Sequence, residues 1–328
     1  MRTILKSKES AVLALFVIVF AAFAFTTDRF ATSDNLFNVA RQYSELAVVA
    51  VGLTMIIITG GIDISVGSMV GLTSILVGVF AGERHLNIWI ACVLAILAGL
   101  GCGAINGLVI TKLKVQPIVA TLAMMSAARG LAFVLSGARS ISNFPDGFIA
   151  FGQMAIGPIP LPVLVALMLV ILGVVILRYT AFGREVYAVG ASEEAARLSG
   201  VSVFKIKMFA YAFTGMLCGL GGAMMASRVA SSVPDAGSGF EFEAITAVVM
   251  GGSSLRGGEG NIVGTIIGVA VMAILRNGLN LRGVPNIWQV MFLGIMLILA
   301  VLADNLRGWL RAGRELREPV LENTKVGA

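Results

Sequence analysis

Apolar residues run in blocks of membrane length along almost the whole chain, separated by short polar punctuation. The blocks fall at about 10–27, 45–60, 64–81, 88–111, 117–136, 161–177, 208–227, 244–255, 262–277 and 287–303. Each approaches the roughly 20 residues that an α-helix needs to cross a bilayer. The pattern predicts an all-α polytopic membrane protein with about ten transmembrane helices, forming a single domain over 1–328. Within it, the stretch 45–81 would measure about 55 Å as one continuous helix, far more than a bilayer, so it must break. Gly60, Gly61 and Gly67 supply the place. Small-xxx-small pairs recur, at Gly67/Gly71, Gly99/Gly103, Gly103/Gly107, Gly215/Gly219 and Gly264/Gly268. They predict helices in close backbone contact. The turns GGIDISVG (60–67) and GGEGNIVG (257–264) resemble each other, and each opens onto one of these pairs, as an internal duplication would.

One polar interval interrupts the pattern. It runs over 178–207, RYTAFGREVYAVGASEEAARLSGVSVFKIK, and carries Arg178, Arg184, Arg197, Lys205 and Lys207. Ser192 is placed to cap a helix, Glu193 and Glu194 fall in its first turn, and Gly200 offers a left-handed stop. A helix of about two turns is unstable alone in water. It reads either as a solvated loop or as an element that docks against something else.

Composition and charge narrow the class. The chain has 328 residues, 58% of them hydrophobic and 13% charged, with a mean hydropathy of +0.94; a water-soluble fold is excluded. The net charge of +6 is a matter of sidedness and not of nucleic-acid binding. With the N-terminus inside, ten spans put sixteen Lys/Arg on the inner side and seven on the outer, with Arg129 inside a span. Both termini and 178–207 are then cytoplasmic. The first block contains the A-x-A pattern of Ala22 and Ala24, but it is long for a signal peptide and reads as a retained span. The tail, 304–328, is basic, with Arg307, Arg311 and Arg314 at helical spacing beside Trp309, as expected of a segment resting on anionic lipid. Cys92, Cys102 and Cys218 lie in apolar blocks as small core residues, and with His85 the only histidine a histidine metal centre is not expected.

Few residues offer chemistry. Asp63 sits at the break in 45–81, where it either caps the next helix or, with Ser65, lines a polar path. Arg129 lies within a block and must face a cavity or a partner, or reach the interface. Asn106 and Asn277 are polar positions in or near spans, with interhelical hydrogen bonding as their default role. These five are the candidates for a translocation pathway. There is no G-x-x-x-x-G-K-[ST] loop, no H-E-x-x-H and no G-x-S-x-G. An embedded enzyme has no acid–base or metal set here, and an ion-coupled secondary transporter would place more ionisable groups at mid-membrane than Asp63 and Arg129. If transport is driven by ATP, another polypeptide binds the nucleotide.

The stretches GLTMIIITGGIDISVGSMVGL (52–72), VQPIVATLAMMSAARGLAFVLSG (115–137), FGREVYAVGASEEAARLSGV (182–201), FEFEAITAVVMGGSSLRGGEGNIVGTIIG (240–268) and RNGLNLRGV (276–284) resemble the permease subunits of ribose-type ABC sugar importers. They cover much of the chain in the family's order, and the nearest group serves ribose, rhamnose, xylose, related sugars and furanosyl signal molecules. Ile64 stands where many relatives have Leu. The resemblance implies a permease of the bacterial inner membrane that is not itself an enzyme. Implied partners are a second permease copy or paralogue, an ATPase subunit that holds ATP and Mg, a periplasmic sugar-binding protein and membrane lipid, with no cofactor in this chain. It also implies that Gly190, Ser192, Glu193, Glu194, Ala195, Ala196, Arg197, Leu198 and Gly200 form a coupling helix that docks on the ATPase. The substrate would be a pentose, a deoxyhexose or a related small carbohydrate. With so few polar side chains, the permease alone is expected to bind sugar weakly, leaving selectivity to a partner that docks on outside loops such as 137–160 and 228–243.

Overall fold

The computed structural model describes the backbone of residues 7–315 and the side chains of 10–302. The elements are α1 (Ser7–Thr26), α2 (Ser33–Ile58), α3 (Val66–Val77, prolonged by a π-helical turn, Gly78–Glu83), α4 (Ile88–Thr111), α5 (Pro117–Ser136) and α6 (Asp146–Gln153). A short hairpin follows, β1 (Ala155–Ile156) and β2 (Ile159–Pro160). Then come α7 (Leu161–Tyr179), α8 (Ala181–Ala191), α9 (Glu193–Leu198), α10 (Val203–Val229), α11 (Phe240–Met250), α12 (Ile262–Leu281) and α13 (Asn286–Glu315).

Seven of these are long and apolar enough to cross a membrane: α2, α3 with its π-turn, α4, α5, α7, α10 and α12. The apolar parts of α1 and α13, Ser10–Thr26 and Asn286–Leu302, are shorter. The block expected to cross at 244–255 is instead the 11-residue α11, about 16 Å long, followed by a loop over 251–261. That is half a crossing. The Gly251-Gly252 pair ends it, with Gly252 at φ +95°. Backbone helicity continues from α13 through the expected basic helix around Arg307–Arg314. Residues 316–328, with Arg317 and Lys325, lie outside the described residues, as do Arg2 and Lys6.

The bundle is organised around α2, α3 and α10, whose membrane-length windows are 78%, 83% and 67% buried, against 22% for α5 and 28% for α7. Glycine sets the closest contact. A Cβ on Gly103 would lie 3.0 Å from the Cα of Gly215, and one on Gly219 would lie 2.5 Å from the Cα of Ile96, so α4 and α10 touch backbone to backbone. In a bilayer this close packing, and not the hydrophobic effect, is the source of helix association. Gly264 and Gly268 serve in the same way against Gly251 and Ala247 of the α11 end. Gly67 and Gly71 do not: what fills their notch is the segment that precedes α11.

Candidate functional site: the α8–α9 end, the buried polar groups and the segment 230–239

The 178–207 interval folds as two helices. Thr180 caps α8, its Oγ1 accepting from Gly183 N at 3.2 Å. Ser192 caps α9, its Oγ accepting from Ala195 N at 3.2 Å, with Glu193 and Glu194 in the first turn. Gly200, at φ +85°, closes the end, where Gly200 N reaches Arg197 O and Val201 N reaches Ala196 O, both at 3.0 Å. The local sequence therefore states α9 almost completely, caps included. The helix α8 was not read from sequence, because Gly183 and Gly190 interrupt its apolar positions. Both glycines are needed for approach: Gly183 lies against the carbonyls at the end of α7, and Gly190 against the carbonyl oxygen of Ile58.

Of the positions expected to face a partner, Ser192, Glu193, Glu194, Ala195, Arg197, Leu198 and Gly200 are exposed, and Leu198 is 81% exposed. Two face their own chain. Ala196 is buried, and Gly190 packs inward on Ile58 and Gly258. Glu193 also pairs with Lys207 at the start of α10, which ties α9 to the bundle. The two similar turns meet here. Gly258 N donates to Ile58 O at 2.8 Å, and a Cβ on Gly257 would lie 2.8 Å from Gly190 O and 2.9 Å from Gly60 N. Tyr187 of α8 donates to Gly260 O at 2.8 Å, and burial pushes its phenol pKa up. So the ends of α2 and α8 and the loop before α12 share one backbone junction, at the Gly190-Ala191 end of α8 from which α9 leads on.

Three of the five pathway candidates come together. Asp63 is fully buried; its Oδ1 accepts from Ser65 N at 2.8 Å and from Ser65 Oγ at 2.5 Å. Asn106 Nδ2 donates to Ser65 Oγ at 3.0 Å. Asp63 thus fixes the backbone that enters α3, and its Oδ2 has no hydrogen-bond partner among the described residues. Asn277 is elsewhere, in a reciprocal amide pair with Asn35 at 2.8 and 3.0 Å.

Arg129 turns onto backbone carbonyls and, among the described residues, forms no direct ion pair with an acid. Its Nη1 donates to Pro234 O at 3.0 Å and Ala236 O at 2.7 Å, pinning the non-helical segment 230–239 into the Gly67/Gly71 notch. That segment begins level with Gly78, where Ser232 packs and pairs with Ile141, and reaches Gly67 at Gly237. Between Gly78 and Gly67 it descends about 16 Å along α3. The depth follows from α10: Thr73 Oγ1 meets Cys218 O at 3.2 Å, a point about 22 Å along α10 from Val203. The outside loop expected over 228–243 therefore dips to the middle of the bundle.

Sequence reading also missed three acids. Glu45, 1% exposed, holds Arg228 Nε at 2.7 Å; Glu243 pairs with Arg276; Glu241 is buried against Gly67. The expected blocks began at or after these residues, so they were not counted among groups inside the spans. The helices start earlier, at Ser33 and Phe240, and take them inside.

Helices that cross, helices that break partway, and charges held in fixed pairs define a polytopic helical transport subunit. Residues 35–301 match the family described as branched-chain amino acid transport system / permease component, and the chain belongs to that family. It is 39% identical over 302 residues to the ribose import permease protein RbsC of Escherichia coli K12, covering 91% of this chain and 94% of the relative. It is 40% identical over 296 residues to RbsC of Bacillus subtilis 168, covering 89% and 91%. It is 31% identical over 299 residues to the L-arabinose ABC transporter permease protein AraH of Azospirillum brasilense, covering 91% and 88%. No solved structure matches.

Proposed function

We propose that this chain is the permease subunit of an ATP-driven ABC importer of a small sugar, a pentose, deoxyhexose or related carbohydrate, in a bacterial inner membrane. The observation that carries the reading is α9: a six-residue helix with both ends capped, no core of its own and Leu198 81% exposed, joined through the end of α8 at Gly190 and Ala191 to the end of α2 and the loop before α12. A helix built this way is an input lever for a separate subunit. In this reading an ATPase closes on ATP and Mg, α9 moves with it, and the junction at Ile58, Gly190 and Gly258 passes the displacement to α2, α3 and α12. That converts domain closure into a helix rearrangement. Family membership and the ribose and arabinose permeases named above support the substrate class.

The buried acids sharpen the contrast with an ion-coupled carrier. More ionisable groups lie inside than Asp63 and Arg129, but Glu45 and Glu243 are held by arginines, which suits fixed structural pairs more than a proton relay. The ten-crossing arrangement counts α1, α13 and the dipping segment 230–239 together with α11 as spans, with both termini and α9 cytoplasmic and a periplasmic binding protein meeting the 137–160 side. A cysteine at Ser192 should resist an impermeant thiol reagent in spheroplasts and one at Asp146 should react; labelling at Ser192 would overturn that orientation. The function is tested in proteoliposomes holding permease, ATPase and binding protein. ATP-dependent uptake of ribose or arabinose is expected, and uptake that needs an ion gradient instead of ATP would refute it. Calorimetry on the permease alone should find a sugar Kd on the order of 1 mM or weaker, about 4 kcal/mol.

A further inference from the structure

Beside its seam with α4, α10 carries a stripe that stays partly open. Met208, Tyr211 and Gly215 face the glycines of α4. One step round the helix, Lys205 and Phe209 are exposed and Phe213, Met216 and Leu220 are partly so, a single face at helical spacing. Phe182 of α8 borders the stripe, its ring 4.6 Å from that of Phe209, and Phe209 stacks on Phe213 at 5.5 Å. From Phe209 to Leu220 the stripe runs about 16 Å along α10, half of a hydrocarbon core about 30 Å thick. Its end nearest α9 is cationic. Lys112, at the end of α4, sets its ammonium 5.6 Å from the centre of the Phe204 ring. Lys205 follows on α10, one turn before Phe209. Arg178 and Arg184 stand on either side of Phe182 along the chain, Arg178 over the Tyr179 ring at 5.7 Å. All four cations are exposed, and among the described residues none is in an ion pair with an acid. Glu185 adjoins Arg184 in sequence, and Glu193 is already taken by Lys207. At the opposite ends of α4 and α7 the first turns, from Ile88 and from Leu161, carry no charge.

We propose that this stripe binds one anionic phospholipid, its phosphate against Lys112 and Lys205 and an acyl chain along Phe209, Phe213, Met216 and Leu220. The occupant follows from depth and charge together. An apolar track one leaflet deep fits an acyl chain, and the cations stand only at its headgroup end. The Phe204 ring holds the Lys112 ammonium in place beside Lys205, so two positive charges meet one phosphate, with Arg178 and Arg184 adding positive potential on the α8 side. A zwitterionic lipid would fill the same track and leave the cations uncompensated. A second copy of this chain would bring the same cations to the contact. A water-borne protein partner reaches Lys205 and not the track above it. A lipid held in this way joins the end of α4 to α8, the helix that leads into α9. That its leaflet is the cytoplasmic one rests on the importer reading; the site itself does not.

The test uses the purified full-length permease in detergent. Native mass spectrometry should find one phosphatidylglycerol retained per chain under conditions that strip phosphatidylcholine of the same chain length. Lys112→Gln together with Lys205→Gln should weaken that retention at least tenfold, and Lys112→Arg with Lys205→Arg should keep it. Arg84→Gln, at the other end of the bundle, should leave it unchanged. Equal retention of the two lipids, displacement by inorganic phosphate, or an equal loss from Arg84→Gln overturns the site. So does a double Gln variant that keeps its lipid and loses capture of the ATPase, because the rim is then a protein contact. Uptake by the reconstituted native importer keeps the two readings apart. Lipid selectivity without ATP-driven uptake leaves the site standing and overturns the importer reading. ATP-driven uptake without lipid selectivity does the reverse.

Discussion

Two polar stretches break the run of apolar helices, and they are held in opposite ways. The 178–207 interval stays at the end of the bundle and is shaped by its own neighbours in sequence: Thr180 and Ser192 cap α8 and α9, Gly200 closes α9 and Ser202 caps the start of α10, each within three residues. The 230–239 segment dips to the middle and is held from far away, by Arg129 more than a hundred residues earlier and by the notch of Gly67 and Gly71. Water can satisfy an exposed loop, so caps suffice at the end of the bundle. Inside the membrane each backbone group needs a protein partner: local turns supply part, Ala236 N to Val233 O and Ser238 N to Asp235 O, and the carbonyls of Pro234 and Ala236 take theirs from distant Arg129.

The sharpest way to break this contrast is at Arg129. Replacing it with Ala removes both hydrogen bonds to the segment and the charge beside buried Glu241. With charged hydrogen bonds at roughly 1.5–3 kcal/mol each, a loss of about 3 kcal/mol or more is expected. Thermal unfolding of the purified permease should show a Tm lower by several degrees, with Lys restoring only part; an unchanged Tm would mean the segment is held by something else. The next effect belongs to the junction. Gly190→Val drives a side chain into the Ile58 carbonyl, so uptake in the reconstituted importer should fall at least tenfold. Gly200→Ala, which meets open space and loses only the ease of φ +85°, should cost about 1–2 kcal/mol locally and leave most uptake. Equal losses from the two glycines would remove the distinction between junction and cap.

The exposed face of α9 comes third. Glu194→Lys together with Leu198→Asp should abolish ATPase capture by the permease while the variant still inserts and keeps its Tm. Normal capture would mean that α9 is not the docking element. The smallest effect is expected at Glu193, whose side chain is 56% exposed although it pairs with Lys207. Solvent screening keeps such a pair within about 1 kcal/mol, so Glu193→Gln should change Tm by no more than a few degrees and lower uptake mildly. A loss as large as that of Arg129→Ala would place Glu193 in the junction and not at its rim.

The sequence by itself determined whatever depends on neighbours along the chain. It placed the helices of membrane length, forced a break between 45 and 81, and specified α9 with its serine cap and glycine stop, because these follow from apolar run length and from bonds closed within three or four residues. It named Asp63, Ser65 and Asn106 as candidates and could not say that they meet, since α4 reaches Ser65 only once Gly103 and Gly107 have packed on α10. It did not single out Glu45, Glu241 and Glu243, because the arginines that let acids enter the bundle lie on other helices. It drew 228–243 as an outside loop because nothing within that stretch shows that Arg129 will draw it inward. Depth in the membrane was decided only by the tertiary structure: it depends on which distant groups pay the desolvation of polar backbone, and that pairing exists only when the helices are packed.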